Sequence, residues 1–243
     1  MIKAVLFDLD DTLLDRRRMV DGYLAGHERR SGLGPDAAAN FIRRFHELDG
    51  CGYTSRPLLF QRLSDEFPSA GSAQVLRADF REHVWRHCEW MPGAIELLAW
   101  CRDAGLRSAI ITNGSSRMQR AKLQLLDLES RVDAILISEE EGVAKPMPEI
   151  FLRAASRLGV DPCLCAFVGD HPLNDVKGAR DVGMVDIWLR RELPWPSELP
   201  MASFSITRLC DVPTLLQGSA TRPSVAAPSR LGNPHSNRGM RYP

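Results

Sequence analysis

The stretch Ile-Lys-Ala-Val-Leu-Phe-Asp-Leu-Asp-Asp-Thr, residues 2–12, decides the architecture that we predict for the chain. Residues 2–9 are too few and too continuously apolar for a surface helix, and such a run is typical of a buried strand in a parallel sheet. Along an extended chain Asp8 and Asp10 project to one side and Leu9 to the other. We therefore expect two carboxylates to share a pocket, while Asp11 faces away and serves in a turn or a helix cap.

Helical and strand-like segments alternate over the second half of the chain. Gly105, for example, is a stop signal between an amphipathic segment and an apolar run. The predicted strands lie at 106–112, 134–137, 165–168 and 185–189, and the predicted helices at 94–104, 116–126, 148–158 and 173–182. This pattern indicates an α/β protein with a Rossmann-like open parallel sheet and helices on both faces.

Residues 15–90 interrupt this alternation, because they carry helical periodicity and turn signals but no buried strand. We predict here an inserted α-helical cap domain, with helices at 16–30, 36–48, 57–67 and 72–87. The catalytic core then comprises residues 1–14 and 91–216. Residues 217–243 are dominated by Ser, Pro, Gly, Asn and Arg without hydrophobic periodicity, so we expect a disordered basic tail.

The composition is that of an ordinary globular protein, with 44% hydrophobic and 26% charged residues. The six cysteines form no CxxC pair, and no export signal or membrane-length apolar run is visible. We therefore expect a cytoplasmic protein with free thiols and no membrane partner. The formal net charge is zero, and the four arginines after Asp211 leave 27 basic against 31 acidic residues before them, which does not favour binding to a nucleic-acid polymer.

Polar residues collect at the carboxyl ends of the predicted strands, where an open parallel sheet binds its ligands. Besides Asp8 and Asp10, they are Thr112, Asn113 and Gly114 after the second strand, Lys145 in the loop after the third, and Asp170, Asn174 and Asp175 after the fourth. Groups that are distant in sequence would therefore meet in one pocket.

This set of side chains suits attack on a phosphate monoester, a dianion that a carboxylate approaches only if a cation neutralises the repulsion. Asp8 would be the nucleophile and form an aspartyl-phosphate, which divides one difficult displacement into two steps. Asp10 would protonate the leaving alkoxide and later take a proton from water. Asp170 would supply the distant ligand for Mg²⁺, the metal that carboxylate-rich oxygen sites suit.

Four residues are candidates for binding the phosphate. Thr112 can donate its hydroxyl, and the backbone N–H groups of Asn113 and Gly114 lie just before a predicted helix, where anions are favoured. Lys145 would offset the negative charge crowded between Asp8 and the phosphoryl group. Only four of the 31 basic residues are lysine, so a lysine at this position indicates a need for a compact ammonium.

In this order the motifs resemble those of the haloacid dehalogenase superfamily, whose pattern is D-x-D-x-T, a strand-ending T or S, K, and G-D-x-x-x-x-D. The matching residues are Asp8, Asp10 and Thr12, then Thr112, then Lys145, and finally Gly169, Asp170 and Asp175. The resemblance covers residues 2–216. It implies an aspartyl nucleophile, an aspartyl acid/base, and Mg²⁺ held by Asp8, Asp170 and the backbone carbonyl of Asp10. The helical insertion resembles the family's helical cap.

The resemblance also bears on the surroundings of the site and on the substrate. Asp175 would support the metal site or the lysine, with Asn174 and Thr12 also near the metal-binding residues. Residues 137–151 resemble the nucleotidase-like and sugar-phosphatase-like branch, which implies a nucleoside 5′-monophosphate or a small sugar phosphate as substrate. Tyr53 and Arg56 are candidates either for a specificity loop that closes over the site or for an ordinary surface turn. We expect a monomer or a homodimer.

Three other functions remain open from the sequence. A haloacid dehalogenase uses the same carboxylate nucleophile, but its halide leaving group needs no acid at the position of Asp10. A phosphomutase uses the same residues and returns the phosphoryl group to a sugar. A catalytically silent binding or regulatory protein would keep the fold and lose a catalytic group, whereas here all are present. The residues favour a phosphatase that acts on a small phosphorylated metabolite.

Overall fold

Six strands form one parallel sheet in the computed structural model, which describes residues 1–218. The strands are β1 Ala4–Phe7, β2 Arg107–Thr112, β3 Ala134–Ile137, β4 Cys165–Gly169, β5 Val185–Leu189 and β6 Phe204–Ile206. Their order across the sheet is β3-β2-β1-β4-β5-β6, and every neighbouring pair is parallel. The predicted Rossmann-like α/β sheet is confirmed.

Strand β1 lies inside the sheet, between β2 and β4, and its side chains alternate between two hydrophobic cores. Val5 and Phe7 belong to the larger core, and Ala4 and Leu6 belong to the smaller one. All four are fully buried. Burial on both faces explains why β1 reads as a continuous apolar run rather than as an alternating one.

The helices cover both faces of the sheet and fill the insertion after β1. Those before β2 are α1 Arg16–Ala25, α2 His27–Ser31, α3 Pro35–Asp49, α4 Arg56–Glu66, α5 Ala73–His83 and α6 Ala94–Asp103. Those after it are α7 Ser116–Leu125, α8 Ser138–Glu141, α9 Pro148–Leu158, α10 Gly178–Asp181 and α11 Val212–Gly218. Short 3₁₀ turns lie at Gly50–Gly52, Pro68–Ala70, Val84–His87, Pro162–Leu164 and Leu209–Asp211, and a π-helix at Pro172–Lys177. Within residues 1–218, no helix combines the length and the apolar character that crossing a membrane requires.

Several predicted boundaries differ from the structure. The predicted helix at 16–30 is two helices, because Gly26 ends α1 and its N–H bonds back to the last turn. The predicted helix at 72–87 tightens into a 3₁₀ turn after His83. Strand β6 is not predicted, since three residues at the sheet edge carry no readable pattern. Helix α11 contains the first two residues of the predicted tail, and residues 219–243 lie outside the described part of the chain.

Four aromatic side chains hold the inserted helices together, one from each of α1, α3, α4 and α5. The ring of Phe45 lies 6.5 Å from that of Tyr23, 6.2 Å from that of Phe60 and 5.8 Å from that of Phe80. All four residues are buried. These rings therefore tie the four inserted helices together, and they belong to the same hydrophobic cluster as Val5 and Phe7 of β1.

The chain leaves the sheet and returns to it through two segments that run side by side. The N–H of Asp15 donates to the carbonyl of Glu89 at 3.0 Å, and the N–H of Met91 donates to the carbonyl of Leu13 at 2.9 Å. These bonds tie the base of the helical insertion directly to the end of β1. The division into a core and a cap between residues 14 and 15 and between 90 and 91 stays a prediction.

Replacing Phe45 by alanine tests the importance of the aromatic core. We expect the free energy of unfolding to fall by about 3–5 kcal/mol, because the change leaves a cavity among three other rings. Urea denaturation followed by circular dichroism measures this loss. The control is Leu152→Ala on α9, whose side chain is exposed and should change stability by less than about 0.5 kcal/mol. A loss below about 1 kcal/mol for Phe45→Ala would contradict a tightly packed core.

Candidate active site

Lys145 joins two carboxylates from distant parts of the chain. Its Nζ lies 2.6 Å from Oδ1 of Asp8, just after β1, and 2.7 Å from Oδ1 of Asp175, in the π-helix after β4. All three residues are buried. Burial alone would lower the pKa of Lys145, but the two carboxylates outweigh it and raise the pKa above its usual value. The lysine is therefore a charged group held between two carboxyl groups.

Asn113 fixes the backbone on which Lys145 sits. Its Nδ2 donates to the carbonyl of Lys145, and its Oδ1 accepts from the N–H of Lys145, both at 2.9 Å. A side-chain amide satisfies both bonds at once, since it carries a donor and an acceptor side by side. The sequence predicts only the N–H of Asn113 as a site group, and this positioning contact of its side chain is an addition.

The loop after β4 orients Asp175 through its own backbone. Oδ2 of Asp175 accepts from the N–H of His171 at 3.0 Å, and the imidazole Nδ1 of His171 accepts from the N–H groups of Leu173 and Asn174. At Gly169, an added Cβ would lie only 2.5 Å from the side chain of Asp175. Glycine is therefore the residue that lets this carboxylate approach the strand end.

Three carboxylates form a compact cluster beside Lys145. Asp8, Asp170 and Asp175 each place one oxygen within 4.8 Å of the others. Burial raises the pKa of Asp8 to about 7, against the lowering effect of Lys145, and burial with the neighbouring carboxylates raises the pKa of Asp170 well above its usual value. Because one ammonium does not balance three carboxylates, this set of hard oxygen ligands fits a divalent cation such as Mg²⁺.

The carboxylate of Asp10 points to a different set of partners. Nζ of Lys122 lies 2.8 Å from each of its oxygens, and Nε2 of Gln119 donates to Oδ2 at 2.9 Å. Burial would raise the pKa of Asp10, but Lys122 and Gln119 outweigh it and hold the pKa below its usual value. The backbone carbonyl of Asp10 stays the predicted metal ligand of this residue.

Gln119 and Lys122 are missing from the predicted site. They lie three residues apart on α7 and so share one helix face, and both are buried. Gln119 also donates to Oγ1 of Thr112 at 2.5 Å, which links the acid/base candidate to the phosphate-binding candidate. Lysine is scarce in this chain, and this scarcity marks Lys122 as a candidate site residue just as it marks Lys145. It is the one sequence signal that could have identified Lys122.

The turn before α7 is less open to an anion than predicted. The N–H of Gly114 donates to Oγ of Ser138 at 3.0 Å, and the N–H of Ser116 donates to a carboxylate oxygen of Glu139 at 2.8 Å. The predicted phosphate cradle is therefore incomplete, because the acidic start of α8 lies against this turn. Thr112 is buried at the end of β2, with its oxygen accepting from Gln119.

The side chains at the end of β1 are arranged mostly as expected. Asp8 and Asp10 line one cavity, whereas Leu9 is fully buried in the core. The prediction that Asp11 faces away is wrong: its left-handed backbone (φ 60°) turns the chain so that Asp11 also lines the cavity. Thr12 is buried, and its hydroxyl has no hydrogen-bond partner among residues 1–218.

A cavity of about 730 Å³ lies between the end of the sheet and the inserted helices. Tyr53 and Arg56, the predicted specificity residues, line it together with the residues around Asp8. The ring of Tyr53 lies 4.4 Å from that of His171, and Arg56 donates to Asp49 at 2.6 Å. The structure thus brings the inserted segment directly over the strand ends.

A family model described as haloacid dehalogenase-like hydrolase matches residues 2–183, three quarters of the chain. The chain belongs to this family. The predicted superfamily is confirmed, and the site described above lies within the residues matched.

Curated relatives of this hydrolase include phosphatases. The glyceraldehyde 3-phosphate phosphatase of Methanopyrus kandleri is 33% identical over 200 residues, covering 79% of the chain and 85% of the relative. The phosphoserine phosphatase of Thermus thermophilus is 31% identical over 226 residues, covering 79% and 90%. Among solved structures, the hydrolase YfnB of Bacillus subtilis has a TM-score of 0.75 at 23% identity, covering 88% of the chain and 98% of that structure, which shows the shared fold.

Replacing Lys122 by methionine should change the pH dependence of this hydrolase. Without the ammonium, the pKa of Asp10 rises, so its carboxylate form appears only at higher pH. Because the predicted role of Asp10 as a base needs that form, the acid limb of kcat moves to higher pH and kcat at neutral pH falls about tenfold or more. Hydrolysis of p-nitrophenyl phosphate across a pH series measures both effects.

The matched control for this change is Lys3→Met, which removes an exposed lysine that does not line the cavity. Its profile should follow that of the wild type. An acid limb that stays in place in Lys122→Met would contradict the control of Asp10 by Lys122.

Proposed function

We propose that this hydrolase is a magnesium-dependent phosphatase that acts on small phosphate monoesters through an aspartyl-phosphate on Asp8. The observation that carries the proposal is the buried contact of Lys145 with Asp8 and Asp175. Lys145 contacts Oδ1 of Asp8, and within residues 1–218 no hydrogen-bond donor reaches its Oδ2. One carboxylate oxygen is therefore held, and the other is available to a substrate or a metal.

In the first step, the carboxylate of Asp8 would attack phosphorus while the bond from phosphorus to the leaving oxygen breaks. Lys145 would neutralise charge on the phosphoryl group, and Asp175 and Asn113 would keep it in place. Mg²⁺ held by Asp8, Asp170 and the backbone carbonyl of Asp10 would supply further positive charge against the phosphoryl oxygens.

Asp10 would move the proton in both steps. It would protonate the leaving oxygen, and would then take a proton from the water that attacks phosphorus, which frees Asp8 and releases inorganic phosphate. Before substrate binds, Lys122 keeps Asp10 as the carboxylate, the form that the second step needs. The negative charge of a phosphate dianion bound nearby would counteract the effect of Lys122 and raise the pKa of Asp10. The acid form of Asp10 would then be accessible for the first step.

The remaining site residues would act around these groups. Thr112 would donate its hydroxyl to a phosphoryl oxygen, since its oxygen already accepts from Gln119. Gly114 would contribute its N–H only after releasing Ser138. Asn174 and Thr12 would support the loops that hold the metal ligands, and Tyr53 would close the cavity beside His171.

Two features favour a phosphate ester over an organic halide. Asp10 has two buried partners, Gln119 and Lys122, whereas a halide leaving group needs no proton and no such residue. The relatives described above are named phosphatases of glyceraldehyde 3-phosphate and of phosphoserine. Those names support a small sugar phosphate or a similar phosphate ester, and they give a nucleoside 5′-monophosphate no comparable support.

Replacing Asp8 by asparagine tests the proposal with little change in shape. We expect release of phosphate from p-nitrophenyl phosphate with Mg²⁺ to fall about a thousandfold or more, because an amide is a poor nucleophile. In the wild type, EDTA should abolish the activity and added Mg²⁺ should restore it. Asp65→Asn, an exposed change on α4, should retain full activity.

Thermal unfolding of Asp8→Asn, followed by circular dichroism, separates loss of chemistry from loss of fold. Turnover retained in a folded Asp8→Asn variant would refute the assignment of the nucleophile.

A further inference from the structure

Two walls enclose the cavity, and their charges differ. The sheet wall, formed by residues at the strand ends and on α7 and α8, is mainly acidic. Its charged residues are Asp8, Asp10, Asp11, Asp170, Asp175 and Glu139, against Lys122, Lys145 and Arg117. The helical wall, formed by the inserted helices, is mainly basic, with Arg16, Arg56, Arg77 and Arg81 against Glu82. A cation bound at the carboxylate cluster would offset the negative charge of the sheet wall. It would not offset the charge of the helical wall, which is positive.

Two of the helical-wall arginines have a structural partner. Arg16 and Arg56 both bind Asp49, a buried residue behind the wall, at 2.8 and 2.6 Å. Glu82 is likewise engaged, by Arg86 outside the cavity and by Arg117 across it. Arg16, Arg56 and Glu82 are therefore all paired, and the unpaired positive charge of the helical wall lies on α5.

Arg77 and Arg81 are different, because within residues 1–218 neither makes an ion pair or a side-chain hydrogen bond. They lie four residues apart on α5, which places the two side chains next to each other on one helix face. Both line the cavity. A guanidinium group binds a carboxylate or a phosphate through two parallel N–H bonds, more specifically than a lysine ammonium does.

We infer that the alcohol part of the substrate carries a second anionic group, a carboxylate or a second phosphate, which Arg77 and Arg81 bind. The inference rests on the proposed phosphatase function, in which Lys145 and the metal already neutralise the charge of the reacting phosphate. Arg77 and Arg81 are therefore left for a different anionic group. Aromatic side chains of the same wall, Phe60 and Trp85, line the cavity as well and suit the carbon skeleton between the two anions. The volume of about 730 Å³ is that of a site for a small molecule rather than for phosphate alone.

The test compares matched compounds as competitive inhibitors of p-nitrophenyl phosphate hydrolysis. 3-Phosphoglycerate and glycerol 3-phosphate differ only by a carboxylate in place of a hydroxymethyl group. Fructose 1,6-bisphosphate and fructose 6-phosphate differ by one phosphate. We expect the anionic member of at least one pair to bind about tenfold more tightly or better, and the pair that shows it identifies the second anion as carboxylate or phosphate.

The double variant Arg77→Gln/Arg81→Gln should reduce this preference to about twofold or less. The control variant is Arg29→Gln/Arg62→Gln, which removes the same charge from the inserted helices at exposed positions outside the cavity. It should keep the preference, whereas general electrostatic steering would lower the preference equally in both double variants.

Each result has a distinct meaning. Wild-type enzyme that binds both members of both pairs equally would overturn the inference, and so would a preference that survives in Arg77→Gln/Arg81→Gln. An equal loss of the preference in the two double variants would indicate electrostatic steering instead of a binding site, and would also overturn the inference. A wild-type enzyme that does not hydrolyse p-nitrophenyl phosphate with Mg²⁺ would refute the phosphatase proposal itself, whatever the inhibitor pairs show.

Discussion

The buried ammonium of Lys145 is the constraint on which the rest of the site depends. A buried charge is costly unless its partners stand at close range, and removing one partner leaves an uncompensated charge. Asp8 comes from the end of β1 and Asp175 from the turn after β4, while Asn113 at the end of β2 holds the backbone of Lys145. The adjacent strands β2, β1 and β4 must therefore end at one level, and the parallel sheet provides that arrangement.

The sequence predicts features that depend on local pattern or on topology. Continuous apolar runs mark buried strands, and because parallel strands end at one edge, the pattern of the chain is enough to place Asp8, Lys145 and Asp170 together. Features that depend on tertiary contacts cannot be predicted from the sequence pattern. Nothing local indicates that Lys122 pairs with Asp10, or that the acidic start of α8 occupies the N–H of Gly114. Such contacts are set by how helices pack on the sheet, which single-sequence patterns do not record.

The two walls of the cavity divide the proposed recognition between them. The sheet wall supplies the carboxylates and the lysines that act on a phosphoryl group, and β-strand ends fix their positions. The helical wall comes from the insertion, which is joined to β1 by the paired segments at 13–15 and 89–91 and whose helices are held together by contacting aromatic rings. In this chain the helical wall presents Arg77 and Arg81.

The proposed mechanism requires Asp8 to become covalently phosphorylated during turnover. Acid quenching of the enzyme during hydrolysis of a phosphate monoester, followed by mass spectrometry of its peptides, tests this most directly. We expect a phosphoryl group on the peptide that contains Asp8, removed by hydroxylamine as an acyl phosphate is. Phosphate release without any phosphoryl group on Asp8, or with the group on another residue, would contradict it.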